Sequence, residues 1–197
     1  MYKAVHSNFY SSMCLRRCDC IITAPDYHLD FKDNIDTFFG TSIPMLSDSG
    51  YMFIFLSFDR DNGYMDVNFL KKFLADGTTA DIISFLYGFK LVVLGGPRIH
   101  KKFYDRLDFY SSVPVDINDP RYMPFTTEFL DIILGNYTKK GDLVLDPFMG
   151  TNSVGKWCLN NDRGFFGIDK DKVMVDNALE YYRKFKENNN CEGNDKS

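Results

Sequence analysis

The chain predicts an α/β fold of Rossmann-like type, a sheet with helices on both faces. Two segments near the C-terminus carry that expectation. Leu143, Val144 and Leu145 form a short apolar run, the pattern of a parallel strand buried on both faces. The run ends on Asp146, breaks at Pro147 and a glycine-containing loop, and gives way to a helix from Val154 to Asn160. Gly164-Phe-Phe-Gly-Ile-Asp169 repeats the design, a buried strand that ends on a carboxylate. Elsewhere short apolar runs alternate with segments of helical spacing, as an α/β architecture requires.

The elements follow in order. Residues 1–13 have little periodicity and read as a leader. Cys20 to Thr23 form the first core strand. Tyr27 to Ser49 is a polar connection with a helix around Phe31–Phe39. Gly50 introduces the strand Tyr51–Phe58. Asp66 to Ala75 has helical spacing at Val67, Leu70, Phe73 and Leu74. Thr79 to Tyr87 reads as a helix capped by Thr78 or Thr79, with Asp81 in its first turn. Phe89 to Leu94 is a strand ended by Gly95-Gly96-Pro97. Asp108 to Arg121 is irregular and contains two prolines. Thr126 to Tyr137 is a helix with Phe129, Ile132 and Ile133 inward. Lys170 to Lys186 closes a single domain, residues 1–186, and the polar segment 187–197 is expected to be a disordered tail.

Length and composition narrow the function. At 197 residues the chain can bury a full core, and 45% hydrophobic residues make it globular. With 23 basic and 27 acidic residues there is no global basic face of the kind a duplex binder carries. Arg98, His100, Lys101, Lys102 and Arg106 form a local basic cluster, either a solvated helix start or a phosphate-contacting patch. No signal peptide and no apolar run of 18 residues is present, so an intracellular protein of cytoplasm or nucleus is expected, with no membrane partner. Five unevenly spaced cysteines fit a reducing compartment. Cys14, Cys18 and Cys20 match neither iron–sulfur nor zinc spacing, so no metal is expected. Cys20 reads as a small apolar strand residue.

The two strand-end acids suggest a nucleoside ligand. Ligands of open α/β sheets bind at the carboxyl ends of strands. Asp146 lies at such an end, and Gly150 lets a backbone approach its ligand closely. Asp169 follows Asp146 by 23 positions, well placed for a ribose diol. Three cofactors compete. The nicotinamide fingerprint G-x-G-x-x-G is broken by Asn152 at its middle glycine. Gly150 to Lys156 fits most of a phosphate P-loop, but Trp157 stands where a hydroxyl should bind magnesium. The third candidate is S-adenosylmethionine.

That candidate comes from a resemblance. Asp146-Pro147-Phe148-Met149-Gly150-Thr151-Asn152-Ser153 is similar to motif I of amino-methylating DNA methyltransferases, D-P-F-x-G-S-G-T. Pro124-Phe-Thr-Thr-Glu128-Phe-Leu resembles the K-P-x-x-L segment that precedes it. Asp162-Arg163-Gly164-Phe-Phe-Gly167-Ile168-Asp169 resembles R-x-x-G-I-E, and Tyr181, Tyr182 and Arg183 fall where the closing helix carries A-x-x-R. The catalytic tetrapeptide [DNS]-P-P-[YFW] has its counterpart in Ala24-Pro25-Asp26-Tyr27, directly after an apolar strand. A tetrapeptide preceding the cofactor loop matches the circularly permuted β group, whose members methylate adenine N6 or cytosine N4.

The resemblance implies a class I S-adenosylmethionine-dependent methyltransferase fold in permuted order, acting on an exocyclic amino group of DNA. It implies a cofactor site of Asp146, Pro147, Phe148, Gly150, Asn152, Ser153, Ile168, Asp169 and Thr126. Asp146 and Gly150 would hold the methionine side, and Asp169 the ribose hydroxyls. Phe148 would line the pocket, Ile168 would pack near the adenine, and the Thr126 helix would point its N-terminus at the cofactor. The catalytic set would be Ala24, Pro25, Asp26 and Tyr27. Tyr27 would stack on an extruded base. Ala24 has no oxygen where the family places a polar residue, so Asp26 or Thr23 would have to supply one. The alternative is a weak or inactive methyltransferase-like subunit that binds nucleic acid or protein. DNA is the partner implied, single- or double-stranded. RNA, a partner subunit and a homodimer stay open.

Overall fold

The computed structural model describes residues 1–11, 17–25, 34–56, 80–84, 90–94 and 125–192. Its seven strands are β1 (Tyr2–His6), β2 (Cys18–Thr23), β3 (Leu46–Leu56), β4 (Ala80–Ser84), β5 (Lys90–Leu94), β6 (Leu143–Asp146) and β7 (Gly164–Asp169). They form one sheet in the order β1-β7-β6-β2-β3-β5-β4. β1, β7, β6, β2 and β3 run parallel. β5 is antiparallel to β3, and β4 is antiparallel to β5. The described α-helices are α1 (Ile35–Ser42), α2 (Thr127–Tyr137), α3 (Ser153–Asn160) and α4 (Lys172–Glu192).

Alternation along the central strands explains their apolar runs. Cys20 and Ile22 of β2, Phe53 and Phe55 of β3, Val144 of β6 and Phe165 of β7 face one core, shared with α2, α3 and α4. Ile21, Met52, Ile54, Leu145 and Ile168 face the other, closed by Phe38 and Phe39 of α1 and by Phe9. Both faces are therefore apolar, as a covered parallel sheet demands. Phe129, Ile132 and Ile133 of α2 are buried as the sequence predicts.

Three expectations are corrected. Thr79–Tyr87 does not describe a helix, because Ala80–Ser84 pairs with Lys90–Leu94 as β4. The leader is structured: Tyr2–His6 pairs in parallel register with Phe165–Asp169. The expected tail begins inside a helix, since α4 continues to Glu192 and Arg183 Nη1 bonds Glu187 Oε1 at 3.0 Å. The expected helix 66–75, the irregular region 108–121, the basic cluster 98–106 and Cys14 lie outside the described residues.

This topology locates the site. From β6 the chain proceeds to β7, toward one edge of the sheet; from β2 it proceeds to β3, toward the other. The order thus reverses between β6 and β2. Ligands of doubly wound sheets bind in the crevice outside the carboxyl ends at such a switch point. Asp146 ends β6 and Thr23 ends β2, on the two sides of that crevice.

Candidate functional site

Asp146 is 1% exposed. Its Oδ1 accepts two hydrogen bonds, from Thr23 Oγ1 at 2.9 Å and from the Phe148 amide at 3.2 Å. Its Oδ2 is buried and has no hydrogen-bond partner among the described residues. Burial raises the carboxyl to about 7; the Thr23 and Phe148 bonds oppose that rise, and the negative charge of Asp169 adds to it. A buried acceptor without a donor is costly. It is the arrangement expected where a cationic ligand group supplies the missing donor.

The loop after β6 is held from the neighbouring strand. Gly150 has φ +49°, and its amide donates to Asp169 Oδ2 at 2.7 Å. The Asp171 amide donates to Asp169 Oδ1 at 2.8 Å. Asp169 therefore spends part of its capacity on backbone, and each oxygen keeps a second lone pair for a ribose diol. Pro147 is buried, and Thr151 and Ser153 share a hydroxyl contact of 3.2 Å at the surface.

Asn152 differs from a simple loop residue. It adopts the left-handed conformation, φ 63°, where the motif it resembles has glycine. Its side chain is buried, and Oδ1 accepts from the Tyr182 hydroxyl of α4 at 2.9 Å. Its Nδ2 has no hydrogen-bond partner among the described residues. Burial pushes the Tyr182 phenol well above its ordinary range, so it stays a donor.

The remaining expected residues divide between site edge and core. Phe148 packs against Phe9, Tyr10 and Phe38, with ring centroids 5.9, 5.9 and 6.0 Å away. Ile168 is 1% exposed and lies in the same apolar cluster. Thr126 caps α2, accepting from the Phe129 amide at 3.2 Å. The preceding Phe125 packs on Phe55 near the end of β3, which puts that cap at the carboxyl edge of the sheet. Ala24 is partly buried against the first core, and Pro25 is buried. Asp26 and Tyr27 lie outside the described residues.

Two details remove the P-loop. α3 begins at Ser153, so Gly155 and Lys156 are already helical rather than part of a phosphate-wrapping loop. Trp157 is a core residue whose indole N–H donates to Asp131 Oδ1 of α2 at 2.7 Å, with Arg163 over its ring.

Thr23 was the residue whose role sequence reasoning assigned elsewhere, as a stand-in acceptor for the substrate. Its hydroxyl proton is committed to Asp146. The signal for that role was present: a hydroxyl residue at the carboxyl end of an otherwise apolar strand, immediately before the tetrapeptide.

The N6_N4_Mtase family model, described as DNA methylase, matches residues 98–180. The type II methyltransferase M.Cfr9I of Citrobacter freundii is 40% identical over 58 residues, which cover 29% of this chain and 19% of that protein. The matched segment thus spans about a fifth of the length of that curated relative. Among solved structures, the M1.HpyAVI–SAM complex superposes with a TM-score of 0.65 at 21% identity, covering 92% of this chain and all of the other. The cytosine-N4-specific PvuII DNA methyltransferase gives 0.66 at 12% identity, covering 90% and 85%. A DNA modification methylase of Thermus thermophilus, TTHA0409, complexed with S-adenosyl-L-methionine, gives 0.64 at 15% identity, covering 93% and 95%. The fold is that of class I S-adenosylmethionine-dependent methyltransferases.

Proposed function

We propose that this chain binds S-adenosylmethionine beside Asp146 and transfers its methyl group to an exocyclic amino group of DNA, adenine N6 or cytosine N4. One observation carries the proposal. The strand that ends in the cofactor-type loop and the strand that ends in the tetrapeptide are neighbours, tied by the Thr23–Asp146 hydrogen bond across the switch point. The DNA methylase match over residues 98–180 supports the same reaction class.

The residues present fit the cofactor. The buried Oδ2 of Asp146 lacks a donor among the described residues, and the methionine ammonium of the cofactor is one. Gly150 offers a close backbone approach, and Asp169 offers acceptors to vicinal hydroxyls. When bound, S-adenosylmethionine supplies an electrophilic methyl on a sulfonium. The protein has only to orient the nucleophile in line with it, which is catalysis by proximity. An amino group conjugated to a base is a weak nucleophile, and an oxygen acceptor from the tetrapeptide would aim its lone pair. Ala24 supplies none; Asp26 is the acceptor proposed, and Tyr27 the stacking face for the extruded base.

The order of segments supports assignment to the permuted β group. β2 with the tetrapeptide precedes β6 with the cofactor loop in sequence, yet the two are adjacent in the sheet. The cofactor half of the proposal is tested by calorimetric titration with S-adenosylmethionine. Saturable binding at a single site is expected. Tight magnesium-dependent ATP binding, with no response to S-adenosylmethionine, would overturn it.

A further inference from the structure

We infer that Thr23 is a positioning residue that orients Asp146 for the cofactor and couples the cofactor loop to the tetrapeptide strand. This rests on the S-adenosylmethionine reading above and adds a residue to it. Three features place Thr23 in that role. It is fully buried at the last position of β2, immediately before Ala24. Its hydroxyl donates to Asp146 Oδ1 at 2.9 Å, a contact between residues 123 positions apart. With the Phe148 amide on the same oxygen, it fixes the carboxylate plane and leaves Oδ2 as the one acceptor of that carboxylate lacking a partner among the described residues.

The geometry makes the hydroxyl more than a packing group. A donor to a carboxylate favours its charged form, and burial favours the neutral one. Thr23 therefore helps set whether Asp146 is ionised when a cation arrives. The titratable groups around Asp146 are Asp169 at the end of β7, Cys158 on α3 and Tyr182 on α4. Burial pushes Cys158 and Tyr182 up, so both stay neutral near pH 7. Asp169 is the charged neighbour among them, and its hydrogen bonds are to backbone amides that do not titrate. The pH response of the site should then be dominated by Asp146.

The test compares wild type, Thr23→Val and Thr23→Ser. Valine keeps the shape and removes the donor; serine keeps the donor. Affinity for S-adenosylmethionine is measured by calorimetry from pH 5.5 to 8.5. In parallel, carbon-detected NMR follows the Asp146 carboxyl in the ligand-free protein. Losing a hydrogen bond to an ionised group should move the Asp146 midpoint up by roughly one pH unit in Thr23→Val. The rise of cofactor affinity with pH should shift by the same amount, lowering affinity roughly tenfold at pH 7 and much less at pH 8.5. Thr23→Ser should restore both midpoints. Identical midpoints in wild type and Thr23→Val would overturn the role of Thr23 while leaving cofactor binding intact. A uniform loss of affinity at every pH, not restored by serine, would reduce Thr23 to a structural residue. No binding by wild type at any pH would overturn the cofactor reading and the coupling with it.

Discussion

Asp146 stabilises the ligand-free fold only when it is protonated. Burial raises it from 3.8 to about 7. A carboxyl whose folded value lies above its unfolded one binds its proton more tightly in the native state. Its contribution is complete below the unfolded value and is lost as pH rises through the folded one. The free protein should therefore lose stability between about pH 4 and pH 7 through this residue. Asp146→Asn mimics the neutral acid. It should melt higher than wild type at pH 8, differ little at pH 4.5, and bind S-adenosylmethionine poorly at both; thermal melts and calorimetry check this. A lower melting temperature for the amide at pH 8 would contradict the burial argument. The same scale decides the acceptor of the target amino group. With Thr23 donating to Asp146, Asp26 is the side chain proposed to orient that amine. Asp26→Asn should cut methyl transfer by about 10²-fold or more while leaving cofactor affinity nearly intact. Ala24→Ser should raise the rate if the missing oxygen limits it. Rapid turnover that survives Asp26→Asn would point to a main-chain carbonyl.

At the scale of elements, the loop between β6 and α3 is braced by α4. A Cβ on Gly155 would collide with Asn152 Oδ1 and with the Tyr182 hydroxyl. Gly155→Ala should then cost roughly 1–3 kcal/mol, as overpacking of a filled core does. It should weaken cofactor binding further by displacing Asn152, and denaturant unfolding with calorimetry measures both. Legibility in the sequence differed between elements for physical reasons. β2, β6 and β7 were readable because strands buried on both faces are apolar throughout and end on informative residues. β4 was not: Ala80–Ser84 is a short apolar run with a hydroxyl and an acid near its start, and periodicity alone cannot separate that from a helix. β1 carries one buried residue, Ala4, because it lies at the sheet edge beneath α4. Its partner is Phe165–Asp169, more than 160 positions away, and no local pattern announces that pairing. The candidate site was half legible for a similar reason. Motif-like spacing exposed Asp146, Gly150 and Asp169. The Thr23–Asp146 and Tyr182–Asn152 bonds join segments distant in sequence, and only the fold brings them together.

For the whole molecule, net charge and recognition machinery set expectations about DNA. The chain carries a formal charge of −4, so steering toward a polyanion must come from a local patch rather than the overall field. Arg98, His100, Lys101, Lys102 and Arg106 are the candidates in sequence. Among the described residues, no helix is long and apolar enough to cross a membrane. The segment 108–121 is short for reading a long recognition site. Activity of the chain on duplex DNA should therefore show low site specificity or require a partner subunit. Methylation mapping on a plasmid checks this; one sharp motif of roughly six base pairs or more, the scale of a fully read site, would contradict it.

The central claim is methyl transfer to an exocyclic amino group at the β6–β2 switch point. It is tested most directly by incubating the chain with methyl-labelled S-adenosylmethionine and mixed-sequence single- and double-stranded DNA, then identifying the labelled nucleoside by mass spectrometry. Label on adenine N6 or cytosine N4, abolished in Asp146→Asn, is the expected result. No label in DNA from a chain that binds the cofactor, or label on cytosine C5, would contradict it.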